Sequence, residues 1–168
     1  RGSKTAADVI VCTIRDGQHA GRGECVPYTR YGESLDSVER EILSIAGAIG
    51  QGATRTDLQS LLPAGAARNA VDCALWDLDA KRGGTTVASQ LGLVASLPLT
   101  TAYTLSLDTT EAMAAQAAQH AHRALLKIKM GTADDESRIR AVHAAAPEAA
   151  LVLDANEGWT EANIRHHL

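Results

Sequence analysis

The apolar positions of this chain change their period along its length. From Asp8 to Arg15 a β-branched run of Val9, Ile10, Val11 and Ile14 predicts a strand that stops at Asp16-Gly17. That dipeptide suits the positive φ values of a tight hairpin turn, so Gln18 to Val26 is expected to return as its partner. Pro27 to Gly32 then reads as a loop. Leu35, Val38, Ile42, Ile45 and Ile49 follow at steps of three and four, which predicts one helix with an apolar stripe. Asp36 and Glu39 have capping-box spacing at its start, and Gly50 and Gly52 end it. A second helix is expected from about Pro63 to Arg82, with Ala67, Val71, Ala74 and Leu78 on one face and Gly83-Gly84 as its stop.

After Leu91-Gly92 the pattern switches to strands alternating with helices. Strands are expected at Leu97 to Thr104, Leu125 to Met130 and Leu151 to Asn156. Between them lie a helix opened by Asp108 with Glu111, burying Met113, Ala117 and Ala121, and a helix over about Ala133 to Ala146, with Ile139 and Val142 inward. Repeated βα units with short loops imply a parallel sheet. The chain is therefore expected to be α/β in two parts: an α+β domain over residues 1–90 and βα units over residues 91–168.

Alternation also assigns faces. Successive strand side chains point to opposite sides, so Lys127 and Lys129 share one face while Leu126, Ile128 and Met130 share the other. In the next strand Val152, Asp154 and Asn156 oppose Leu151, Leu153 and Ala155. Both strands thus turn polar at their C-terminal ends, where a parallel barrel carries its catalytic side chains. Two lysines whose Cα atoms lie roughly 6 to 7 Å apart on one strand face repel each other's charge. Desolvation adds to that repulsion, and both lower a lysine pKa toward that of a general base. The plainer alternative is an exposed edge strand protected by charge. Asp154 and Asn156 offer the hard oxygen atoms that Mg²⁺ takes; the plainer alternative there is an Asp-Ala-Asn turn. A lysine base combined with oxygen-bound Mg²⁺ abstracts a proton α to a carboxylate.

Composition narrows the classes. A formal charge of -4 over 168 residues, with no Lys/Arg cluster, argues against a nucleic-acid or anionic membrane surface. No apolar run approaches the roughly 20 residues that span a bilayer, and a cytoplasmic location is expected. Cys12, Cys25 and Cys73 have no CxxC spacing and are expected as free thiols. The six histidines fall on expected turns and helix surfaces, and Trp76 and Trp159 are expected to pack helices. Glu157 is expected in the first turn of a helix, where its charge is favourable. A start at Arg1 without Met and an end inside a young helix read as a fragment.

Four segments carry a family resemblance: Gly21 to Tyr28 with Arg30 to Ser34; Ala67 to Lys81; the Lys-x-Lys strand; and the Asp-Ala-Asn strand. Together they resemble the enolase superfamily, muconate-lactonizing subgroup, and within it the dipeptide epimerases. The resemblance implies an α+β capping domain followed by the first part of a (β/α)7β TIM-like barrel, here truncated. It implies a Mg²⁺-dependent isomerase acting on a small dipeptide of the L-Ala-Glu type, with assembly of the complete protein into a homo-oligomer left open. Lys129 is implied as the base on one face of the substrate, Lys127 as its partner and Asp154 as a Mg²⁺ ligand, with Asn156 beside it. Thr104 and Arg1 are implied as substrate contacts. The other acidic ligands and the opposite-face lysine are implied on later strands. Sister activities share this machinery: N-succinylamino-acid racemisation, o-succinylbenzoate synthesis and muconate cycloisomerisation. A non-catalytic scaffold is the alternative from another class.

Overall fold

A computed structural model describes residues 5–93, 98–131 and 133–167. The chain divides into two compact units, residues 1–96 and 97–168. No helix among the described residues is long and apolar enough to cross a membrane.

The first unit opens with an antiparallel hairpin, β1 (Ile10–Asp16) and β2 (His19–Cys25), in which Asp16 pairs His19. The two loop residues are therefore Gly17 and Gln18, one position beyond the expected dipeptide. Only Gly17 has a positive φ there, at 56°, which matches a turn of type II′. A single 3-10 turn (Thr29–Tyr31) follows. The expected long helix is two: α1 (Leu35–Ser44) and α2 (Ala46–Gly50), separated at Ile45, whose ψ is 1°. The cap is also two residues earlier than expected. Ser34 and Ser37 bond each other's backbone N–H, so the box is built on serines rather than on Asp36 and Glu39. A short helix that the apolar period does not announce, α3 (Arg55–Leu61), is opened by a reciprocal Thr54 and Asp57 box and buries Leu58. Helix α4 (Ala66–Arg82) starts three residues later than expected and buries the expected face, Ala67, Val71, Ala74 and Leu78, together with Ala70 and Leu75. The one-turn α5 (Val87–Gln90) completes the unit.

Helix α4 lies on β2 at backbone distance. A Cβ added at Gly23 would collide with the Ala70 carbonyl oxygen and lie 2.7 Å from the Ala74 nitrogen; one at Gly21 would collide with the Ala74 carbonyl oxygen. Polar groups stitch the same seam. Asp77 accepts the Arg22 N–H at 2.8 Å, Lys81 donates to the Ala20 carbonyl at 2.9 Å, and Asn69 donates to the Glu24 carbonyl at 3.2 Å. Glu33 replaces the cap that Gly65 cannot supply, accepting the Ala66 N–H at 2.7 Å and the Tyr28 N–H at 3.0 Å.

The second unit is a three-stranded parallel sheet in the order β3 (Tyr103–Leu105), β4 (Leu125–Lys129), β5 (Ala150–Asp154). Helices α6 (Thr110–Gln119) and α7 (Asp135–Ala145) form the crossovers, and α8 (Ile164–His167) ends the described chain. Leu97, where the expected strand begins, lies outside the described residues; of residues 98–104 only the last two fall in β3, and α6 is capped by the Thr109 hydroxyl rather than by Asp108. Leu105, Leu126, Ile128 and Met130 bury the apolar sheet face against Met113, Ala117, Val142 and Ala146. His120, expected on a solvated surface, instead stacks on Tyr103 with ring centroids 3.8 Å apart.

Candidate active site

The polar face of the second unit's sheet gathers at its C-terminal edge. Register places Thr104 beside Lys127 and Lys129 beside Asp154. In a parallel sheet paired residues share a face, so Thr104, Lys127, Lys129 and Asp154 all rise on the side opposite the buried core. Lys127 Nζ stands 2.8 Å and Lys129 Nζ 3.1 Å from the same Asp154 oxygen, Oδ2. The carboxylate between the two ammonium groups offsets the like-charge repulsion that their spacing alone would impose. It is itself changed: hydrogen bonds from Lys127, then Lys129, hold its pKa down at about 2. Asp154 is therefore an anion throughout the neutral range.

Asn156 joins the cluster from outside the strand. Strand β5 ends at Asp154, two residues earlier than expected, and Asn156 and Glu157 adopt left-handed φ values of 49° and 64°. The Asn156 N–H reaches Asp154 Oδ1 at 3.2 Å, its amide donates to the Asp154 carbonyl at 3.0 Å, and its Oδ1 accepts from Lys129 at 3.3 Å. The turn thus returns to the site a side chain that the strand period alone would have placed on that face. Glu157 lies in this turn and not in a first helical turn. Arg1 lies outside the described residues.

A hard cation would find oxygen donors of the right kind in Asp154 and the Asn156 amide. Among the described residues, however, no group of three or more His, Cys, Asp or Glu side chains gathers to hold a metal. Asp154 therefore fits one ligand position, with further oxygen atoms needed from elsewhere.

Beneath the cluster lies a carboxylate that strand periodicity gives no way to find. Asp135, the first residue of α7, is fully buried and accepts the Gly131 N–H at 2.9 Å and the Trp159 indole N–H at 2.8 Å. Trp159, expected only to pack, is thereby a hydrogen-bond donor as well. The available signal is the pair of glycines, Gly131 and Gly158, one in each strand-exit loop.

Residues 1–92 match the model of the mandelate racemase / muconate lactonizing enzyme N-terminal domain. Over 161 residues the chain is 43% identical to the L-Ala-D/L-Glu epimerase of Escherichia coli K12, a match covering 95% of this chain and 50% of that protein. An enolase family member from Agrobacterium tumefaciens, with homology to dipeptide epimerases and solved with sodium and L-Ala-L-Glu bound, superposes with a TM-score of 0.90 at 56% identity, covering 99% of this chain and 51% of its own. The dipeptide epimerase of Cytophaga hutchinsonii, solved with Mg and D-Ala-L-Val, superposes with a TM-score of 0.76 at 29% identity, covering 92% and 46%. The chain spans about half the length of the curated relatives it matches.

Proposed function

The chain belongs to the mandelate racemase / muconate lactonizing enzyme family, and we propose that the whole protein carrying it is an isomerase that inverts an amino-acid α-carbon in a small dipeptide, with an L-Ala-Glu dipeptide as the leading substrate. The observation that carries this reading is the convergence of Lys127 and Lys129 on one Asp154 oxygen at the C-terminal ends of two parallel strands. Racemisation at an α-carbon needs a base that removes the proton and an electrostatic sink for the charge left behind. The strand ends bring a candidate base, Lys129, within about 3 Å of Asp154, the carboxylate that would hold the cation serving as that sink. Dipeptides bound to solved relatives, and their sodium or magnesium, support the choice of substrate class and cation.

Lys129 is assigned the proton transfer on one face of the substrate, with Lys127 beside it sharing the Asp154 carboxylate. Exchange between protonated and neutral Lys129 is the chemical event this side chain contributes. Asp154 would hold Mg²⁺ as one of several oxygen ligands, and what the ion supplies when bound is neutralisation of the negative charge that grows on the substrate carboxylate as the α-proton leaves. Thr104, next to Lys127 in register, is assigned to the substrate wall, and Arg1 to the substrate's acidic side chain. A second base on the opposite face belongs to the rest of the protein.

Deuterium incorporation from D₂O tests the assignment in the whole protein. Lys129→Ala is expected to lower α-proton exchange of one epimer on the order of 10²- to 10⁴-fold, the usual contribution of a positioned acid or base. Parental exchange rates for both epimers would remove Lys129 from the role of base.

A further inference from the structure

We propose that Asp135 is the positioning residue of the strand-end cluster, holding Lys129 and Asp154 at a set separation through hydrogen bonds to both strand exits; the proposal rests on reading Lys127, Lys129 and Asp154 as the reacting groups. Asp135 is the one buried charged side chain among the described residues, with no exposure at all. A carboxylate taken out of water costs several kcal/mol unless its oxygens are satisfied, so its retention marks a fully bonded arrangement with little freedom. Its Oδ2 takes the Gly131 N–H at 2.9 Å and the Trp159 indole N–H at 2.8 Å, while an Arg138 nitrogen lies 3.8 Å from Oδ1.

The positions of those donors matter. Gly131 is two residues beyond Lys129, and Trp159 is five beyond Asp154. One oxygen atom therefore joins the loop leaving β4 to the loop leaving β5. A helix-terminus role alone would need only the first-turn N–H groups of α7; bonds to Gly131 and Trp159 cross to two other segments.

Backbone packing makes the link stiff. A Cβ on Gly158 would stand 2.6 Å from Gly131 Cα, and one on Gly131, whose φ is 122°, would stand 2.9 Å from the Ala155 carbonyl oxygen. The ladder itself runs on past the strand, the Met130 N–H reaching the Asp154 carbonyl at 2.9 Å. With the two loops in backbone contact, a shift of one exit is passed to the other. Asp135 thus acts on the lysines and on Asp154 without touching them, as partners behind a metal ligand orient it.

The test uses three variants of the whole protein. Asp135→Ala removes the acceptor, Trp159→Phe keeps the ring packing and removes one donor, and Asp135→Asn keeps an acceptor in place. Two readouts are taken at parental folding, verified by melting: acetylation of Lys127 and Lys129 by acetic anhydride, mapped by peptide mass spectrometry against Lys81 as internal reference, and steady-state turnover of an Ala-Glu dipeptide. Asp135→Ala and Trp159→Phe are expected to raise labelling of both lysines severalfold and to lower kcat on the order of 10- to 100-fold with KM little changed, as loss of an orienting partner does. Asp135→Asn is expected to return both readouts most of the way to parental. If Asp135→Ala fails to fold, Trp159→Phe carries the comparison. Unchanged lysine labelling in the folded variants, or an Asn variant as impaired as the Ala variant, overturns the proposal. A parental protein inert toward the dipeptide would instead count against the proposed function, and the labelling comparison would still decide the role of Asp135.

Discussion

Asp77 shows how one side chain can serve two segments. Its Oδ2 accepts from Lys81 at 2.7 Å, one helical turn on, and from the Arg22 N–H of β2 at 2.8 Å. The Lys81 hydrogen bond first, and the Arg22 N–H second, lower its pKa below the ordinary 3.8. The sign of the linkage follows. A carboxylate whose folded pKa is depressed contributes stability above its unfolded pKa and loses that contribution as pH falls through the folded value. Melting of Asp77→Asn alongside the parent should therefore show the largest gap near neutral pH, narrowing and then closing as pH falls through and below the ordinary carboxylate range. A gap that does not depend on pH would mean that Asp77 acts by shape and not by charge. The pair of Lys81 and Asp77 is partly exposed, so salt should weaken it as well.

At the scale of elements, the seam between β2 and α4 is where the resemblance segments Gly21 to Tyr28 and Ala67 to Lys81 acquire a physical meaning. They are the two sides of one contact, glycines on the strand against Ala70, Ala74 and Leu78 on the helix. Gly23→Ala would drive a methyl group into the Ala70 carbonyl, and overpacking of this kind typically costs 1–3 kcal/mol. Denaturant unfolding should register a loss of at least about 1–3 kcal/mol. The control is Gly47→Ala in α2, where an added Cβ meets nothing within 4 Å and a helical Gly→Ala change is expected to stabilise by up to about 1 kcal/mol. Equal effects of the two substitutions would show that α4 can move away from β2 at little cost.

At the scale of the molecule, the site is a polar edge on one sheet, and its metal chemistry depends on how many oxygen atoms reach it. Asp154 is a single ionised carboxylate with two ammonium groups already on it. The described residues hold no cluster of three or more metal-binding side chains. The 168-residue chain studied alone should therefore show no rise in melting temperature with millimolar Mg²⁺. A cooperative transition that climbs with Mg²⁺ would mean that this chain completes a metal site by itself. Among the described residues, strands β3 and β5 each have one unpaired edge in the sheet, which makes aggregation of the isolated chain the competing event to watch for.

Much of this protein is decided by short-range chemistry that a sequence carries openly. Period-two alternation assigns Leu126 and Ile128 to the core and Lys127 and Lys129 to the opposite face, because successive strand side chains have no other choice. The apolar stripe of α4 likewise selects its buried face. The motif segments pointed to the family that residues 1–92 match. Other features depended on backbone breaks, caps and contacts that apolar periodicity does not encode. Ile45 breaks one stripe into two helices, and α3 rests on a capping pair and one buried leucine, too few apolar positions to form a period. Asn156 reaches Lys129 from a left-handed turn rather than from a continued strand. Asp135 reads in sequence as an ordinary helix-opening carboxylate; only the folded chain brings an indole 24 residues later to its oxygen. Local periodicity specifies which way a side chain faces, whereas a buried polar bond is specified by whatever the fold places opposite it.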